Sequence, residues 1–269
     1  MRLAVISDVH GNLPALEAVL AHIEARRPDQ VVVAGDLVNR GPQSNEVVAR
    51  LQPLGYPTVQ GNHERYVLEA ADATDPQAGG DTYEPSRWTL RQLTPDQVAY
   101  LRALPFSVRV EDVLIVHGSP RGDQDGIFPR TSEGELSQKL NGHTHLVCGH
   151  THLSLVRPWR ERGLVVNAGS AGNTFEGDTR ARYAWLERRS GQWHAEVVCV
   201  DYDVAATLRA FDESDYLATA GPMARLFRLE VATGHNHLIP AYLAHRRLVD
   251  TQQMTLAEAA DRYLETLGL

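Results

Sequence analysis

Apolar residues in this chain come in short runs that end on polar residues able to bind or react. Strand-like runs occur at Arg2–Ile6, 30–34, 58–60, Val113–Val116 and 146–148, and each is followed within two residues by Asp, Asn or His. After the first run the period changes: Leu13, Leu16, Val19, Leu20 and Ile23 form one helical stripe ending near Arg26, with Asn12 placed to cap it. The pattern predicts a second helix over Ser44–Leu51 and a third following Asn62, while the capping box Thr94-Pro95-Asp96-Gln97 opens a helix through about Ala103. Strand, polar loop and helix in alternation read as an α/β fold, in which ligands gather beyond the carboxyl ends of the strands.

The remaining segments are less periodic. Residues 72–85, rich in Ala, Asp, Gly and Pro, read as a surface loop. Later strands are expected at 164–166, 182–187 and 193–202, the last two forming a hairpin around Ser190-Gly191, and these should close a second sheet. From Asp203 the pattern turns helical. Asp203 caps a helix to about Phe211, Pro222 begins another through Val231, and Thr255-Leu256-Ala257-Glu258 is a capping box for a final helix. We therefore expect a catalytic domain over 1–202 and a helical extension over 203–269 packed on it, with a lid or a homo-oligomer surface as alternative uses of the extension.

Composition narrows the class. A chain of 269 residues, 43% hydrophobic, suffices for one large core with an appendage. Cys148 and Cys199 sit in apolar runs and read as buried thiols of a reducing compartment. The first run is too short for a signal segment and no stretch reaches membrane-spanning length, so a cytoplasmic location is expected. A net charge of −8 argues against a broad footprint on duplex nucleic acid and leaves nucleotide substrates open.

Candidate chemistry lies at the strand ends: Asp8-Val9-His10, Gly35-Asp36, Gly61-Asn62-His63-Glu64, His117 and Gly149-His150-Thr151-His152. Carboxylate, imidazole and amide oxygen together form a mixed donor set suited to Mn, Fe, Zn, Co or Ni. Two such cations close together need a shared anionic ligand against their repulsion, and Asp36 is the natural bridge. The tetrapeptide Gly-His-Thr-His occurs twice, at 142–145 and 149–152. Only the second copy follows an apolar run, so His150 and His152 are taken as ligands, two apart on an extended segment and facing one way. His143 and His145 are then loop residues. Glu64 opens a helix, where its charge favours the N-terminal dipole without chemistry. His235, His237 and His245, without carboxylate motifs nearby, read as surface or packing residues.

These segments, as Asp8-x-His10, Gly35-Asp36, Gly61-Asn62-His63-Glu64, His117-Gly118 and Gly149-His150-x-His152, resemble the signature of the calcineurin-like metallophosphoesterase superfamily over 1–202. The resemblance implies a four-layer α-β-β-α sandwich and a phosphoester hydrolase in which a water activated by two metals, manganese foremost, attacks phosphorus. It implies one metal on Asp8, His10, Asp36 and His152, the other on Asp36, Asn62, His117 and His150. His63, oriented by an acidic residue such as Asp36, would sit beside the substrate as an acid or charge stabiliser. The stretch Gly35-Asp36-Leu37-Val38-Asn39-Arg40-Gly41 is similar to serine/threonine phosphatases and symmetrical dinucleoside tetraphosphate hydrolases and implies Arg40 as a phosphate ligand, although Asn39 stands where the phosphatases have Asp. Ser7-Asp8-Val9-His10-Gly11-Asn12, His117-Gly118-Ser119-Pro120 and Asn167-Ala168-Gly169-Ser170 instead resemble the small bacterial and archaeal phosphodiesterases, and they weigh more. The expected partner is a small phosphoester or nucleotide substrate. A catalytically silent scaffold of the same fold is disfavoured by the complete ligand set.

Overall fold

Residues 1–75 and 80–269 are described by the structure, a computed structural model. Two sheets form its centre. The first carries β1 (Arg2–Ile6), β2 (Gln30–Val33), β8 (Ala181–Arg189) and β9 (Gln192–Val200) in the order β2-β1-β8-β9. The second carries β3 (Ser107–Val110), β4 (Val113–Val116), β5 (His145–Cys148), β6 (Leu155–Trp159) and β7 (Gly163–Asn167) in the order β3-β4-β5-β7-β6. β1 runs parallel to β2, and β4, β5 and β7 run parallel to one another. This sets the ends of four motif-bearing strands at one edge of the sandwich.

Strand alternation builds the layers. Leu3 and Val5 of β1 meet Val113 and Ile115 of β4, Val147 of β5 and Val166 of β7 between the sheets. Ala4 and Ile6 turn the other way, onto α1 (Leu13–Arg26), α2 (Ser44–Leu51), α3 (Asn62–Asp72) and α5 (Pro95–Ala103). On the far side Leu114, Leu146, Cys148 and Val165 pack on Leu136 and Leu140 of α6 (Glu133–Leu140). The result is an α-β-β-α sandwich. A further cluster joins α7 (Val204–Glu213), α8 (Tyr216–Thr233), α9 (Leu238–Asp250) and α10 (Leu256–Thr266) to Trp88 of α4 (Glu84–Gln92). Among the described residues, no helix is long and apolar enough to cross a membrane.

Several expectations are corrected. The run 58–60 makes only an isolated parallel bridge, Val33 with Thr58, because Pro57 cannot donate to a ladder. The β8–β9 hairpin turns at Ser190 and Gly191, both at positive φ, as a tight two-residue hairpin requires; it joins the first sheet through β1 rather than closing the second. The loop reading of 72–85 holds for the exposed residues 73–75 only: Asp72 ends α3, Gly80–Tyr83 is a 3-10 turn and α4 begins at Glu84, while 76–79 lie outside the described residues. His145 is the first residue of β5 rather than a loop residue. Cys148 is buried, but Cys199 is exposed: it shares a face of β9 with Trp193 and Ala195 of the inter-sheet cluster yet lies near the strand's end, outside that cluster.

Candidate metal centre

The loops after β1, β2 and β5 share an unusual backbone. Asp8, His10, Asp36, His150 and His152 all lie at positive φ, between 49° and 68°. For non-glycine residues each such conformation costs on the order of 1–2 kcal/mol, and it persists only where neighbours fix it. Main-chain bonds between loops do so here: Asp8 N donates to Gly35 O at 3.1 Å, His10 N to Asp36 O at 3.0 Å and Gly149 N to His117 O at 2.8 Å. The segment carrying His150 and His152 is therefore not extended, as alternation had suggested. Two left-handed residues send its rings to opposite halves of one cluster. Gly149 is required there, since a Cβ would overlap Ser7 Oγ and Asp8 Oδ2.

Seven expected donors converge. His152 Nε2 lies 3.2 Å from Asp8 Oδ1 and 3.0 Å from His10 Nε2, while Asn62 Oδ1 lies 3.0 Å from His117 Nε2 and 2.9 Å from His150 Nδ1. Asp36 joins the halves. Its Oδ2 is 3.6 Å from His10 Nε2 and 3.1 Å from His117 Nε2. The first Gly-His-Thr-His copy sits at the amino end of β5, the second just past its carboxyl end, so strand direction separates them.

The donors fit a cation by their chemistry. A carbonyl oxygen only accepts, so the bonds from His117 Nδ1 to Ala34 O (2.8 Å) and from His152 Nδ1 to Asn173 O place a proton on each Nδ1 and turn Nε2 inward. At His117 that nitrogen faces two acceptor oxygens. Although burial opposes a charged ring, Asp36, Asp8 and the Ala34 carbonyl push His117 up to about 10, a measure of how strongly the spot attracts positive charge. Burial also opposes ionisation of Asp8 and Asp36, yet the surrounding imidazoles hold both carboxyls well below their usual range. His150 is pushed down to about 4 by burial and by the charge on His117.

Other expected residues take different places. The ring of His63 stands edge-on to His10 (4.8 Å between centroids) and to Tyr66 (5.3 Å), beside the donors. Asp36 does contact His63, but Oδ1 accepts the main-chain N–H at 2.9 Å rather than an imidazole proton. Burial depresses the His63 pKa well below its usual value, only partly offset by Asp36. Glu64 does more than face a helix dipole. Its fully buried carboxylate accepts N–H from Asp36 (2.8 Å), Leu37 (2.7 Å), Val38 (3.2 Å) and Gly61 (2.8 Å), tying two motif loops together. Burial and the Asp36 charge push it up to about 7, and the N–H donors act the other way. Arg40 is buried and ion-paired with Glu230 of α8, its guanidinium over the rings of Phe227 (4.4 Å) and Phe175 (5.6 Å). Glu230 was not anticipated. The available signal was an acid inside the apolar stripe Met223, Phe227, Glu230, Val231. His237 is a packing residue, bonded through its ring to Tyr263 and Thr233.

A cavity of about 480 Å³ opens over the cluster, lined by Asp36, Arg40, Asn62, His63, His150 and His152. With buried N/O donors at its base, it is suited to an anionic ligand held by cations.

Known proteins agree with this picture. The model of the calcineurin-like phosphoesterase superfamily domain matches residues 1–191. An uncharacterised protein of Methanocaldococcus jannaschii is 26% identical over 224 residues, 75% of this chain and 88% of its own length. A symmetrical bis(5'-nucleosyl)-tetraphosphatase of Nitrosococcus oceani is 34% identical over 152 residues, 53% of this chain and 52% of its own. Among solved structures, a metallophosphoesterase from Sphaerobacter thermophilus is similar at a TM-score of 0.70 and 28% identity, covering 87% of this chain and 100% of that one. The strand-end donors, the double-sheet sandwich and the match over most of its length show that the chain belongs to the calcineurin-like phosphoesterase superfamily, whose members are metal-dependent hydrolases of ester bonds.

Proposed function

We propose that this protein is a two-metal phosphoester hydrolase acting mainly on phosphodiesters, with 1–202 as its catalytic unit. The observation that carries the reading is the place of Asp36 Oδ2 between His10 Nε2 at 3.6 Å and His117 Nε2 at 3.1 Å, where one oxygen can serve two cations. Asp8, His10, Asp36 and His152 would hold one ion, and Asp36, Asn62, His117 and His150 the other. Manganese is the first candidate on the family resemblance, while the mixed N/O donor set itself also admits Fe, Zn, Co or Ni. When bound, the ions would activate a water and neutralise charge on the phosphoryl oxygens.

The chain's own residues supply the rest. The interlocked left-handed loops fix the donors before substrate arrives, so little reorganisation accompanies reaction. His63 stands beside the donors on the cavity wall, where its neutral ring can donate an N–H hydrogen bond to the leaving oxygen. A second reading, hydrolysis of dinucleoside polyphosphates, draws on the Nitrosococcus oceani relative and on Arg40 in the cavity wall.

The test is turnover by manganese-loaded protein of bis(4-nitrophenyl) phosphate, 4-nitrophenyl phosphate and diadenosine tetraphosphate, with bound metal counted by elemental analysis. Two ions per chain and fastest turnover of the diester are expected. A preference for the tetraphosphate would establish the second reading, and two bound ions with no turnover of any substrate would overturn both.

A further inference from the structure

Glu230 comes from α8, far from the metal-binding motifs, yet it reaches the wall of their cavity. It is fully buried, and both its oxygens are committed: Oε2 to Arg40 and to Asn173 Nδ2 at 3.3 Å, Oε1 to the main-chain N–H of His237 at 2.9 Å and of Leu238 at 3.0 Å. The first bond offsets the charge of Arg40, which lines the cavity. The second pair anchors the start of α9, whose residues Leu238, Ile239 and Pro240 line the same cavity as Phe128 and Phe175. Ile239 and Phe128 are half exposed, large apolar side chains left open at its mouth.

We propose that Glu230 is a specificity-setting positioning residue: by offsetting Arg40 and holding the α9 wall, it makes the site select phosphodiesters whose second ester group is bulky and apolar. The proposal rests on the phosphoester hydrolase reading and refines it. An unpaired arginine beside the metals would favour the dianion of a monoester over the monoanion of a diester, because attraction scales with ligand charge. Paired with a buried carboxylate, Arg40 adds almost no net charge. Its guanidinium also packs on the ring of Phe227 at 4.4 Å, near that of Phe175 at 5.6 Å, and these contacts with the Glu230 bond restrain it from turning toward a phosphate. The cavity, about 480 Å³, is much larger than a phosphate needs, and its outer part is apolar. A diester's second group fills that space. A monoester of a small alcohol leaves it wet.

Two comparisons test this on the metal-loaded, full-length protein. Glu230→Gln keeps the shape and removes the charge; kcat/KM for 4-nitrophenyl phosphate relative to bis(4-nitrophenyl) phosphate should rise about tenfold or more, mainly through a lower KM for the monoester. A purely structural role would lower both substrates together. Because this variant can also lose stability, Ile239→Ser and Phe128→Ser, both at exposed side chains, provide an independent measurement. Wild type should prefer bis(4-nitrophenyl) phosphate to methyl 4-nitrophenyl phosphate, two monoanions that differ in the second group, and the double variant should lose most of that preference through KM. Wild type active but without that preference, or a folded Glu230→Gln with an unchanged ratio, overturns this proposal and leaves the hydrolase reading standing. Wild type inactive on all substrates with two metals bound overturns both.

Discussion

Glu64 shows how one side chain can govern a metal site without being one of its donors. Four N–H groups from the turns carrying Asp36 and Asn62 end on its carboxylate. Glu64→Gln would leave one oxygen able to accept and turn an amide N–H₂ against main-chain donors. We expect a loss of about 2–4 kcal/mol in stability and a clear fall in metal content, read by urea unfolding and elemental analysis. Normal values for both would remove the tie. His63→Ala should behave oppositely, keeping its metals and losing about 10²–10⁴-fold in kcat, more for poor leaving groups. Metal loss in proportion to rate would instead make His63 a ligand. At this scale the donors were legible, because Asp, Asn and His stood directly after apolar runs. Their supports were not. Glu64 looked like a helix-start acid because the N–H donors of Asp36, Leu37 and Val38 lie 26 to 28 residues back along the chain, and the partner of Arg40 lies 190 residues on.

Elements were legible in proportion to how far their own sequence determines them. α1 carries a buried stripe and an Asn12 cap, whose side chain accepts from Ala15 N at 3.2 Å, and it was read to the correct end. α4 was missed because Glu-Pro-Ser-Arg-Trp-Thr-Leu-Arg-Gln has no apolar stripe; ion pairs of Glu84 with Arg87 and Arg91, and packing of Trp88, accompany its helix. α9 was also missed: Leu238, Ala241, Tyr242, Leu248 and Val249 recur at helical spacing, but Pro240 stands in its first turn and a non-helical His245 interrupts it. α8 is two helices across a break at Gly221 (φ 55°), and Pro222 does begin the second. Trp88 also joins α4 to the C-terminal helices, its ring 4.6 Å from Tyr216 and its Nε1 donating to Asp215 at 2.8 Å. Trp88→Ala should therefore cost about 3–5 kcal/mol in urea unfolding and loosen α7 to α10 ahead of the sandwich. Hydrogen exchange checks this: protection lost evenly over the whole chain, rather than first in those helices, would show that the cluster is not a separable unit.

Across the whole molecule, the candidate donors draw on both sheets: Asp8, His10 and Asp36 follow strands of the first, and His117, His150 and His152 follow strands of the second. Each proposed ion would therefore link the two halves of the sandwich, and metal binding becomes part of folding stability. A ligand that binds only the folded chain stabilises it by about 4 kcal/mol at a thousandfold excess over its Kd. Chelation should accordingly lower the thermal midpoint of the wild type by several degrees, and manganese should restore it in a concentration-dependent way. Asp36→Asn should lose most of this increment, since the atom facing both halves is changed. His143→Ala should keep it, because that residue lies at the opposite end of β5 from the donors. Equal midpoints with and without bound metal would mean that the ions do not join the sheets. An increment lost in His143→Ala as fully as in Asp36→Asn would instead return the first Gly-His-Thr-His copy to the candidate ligands.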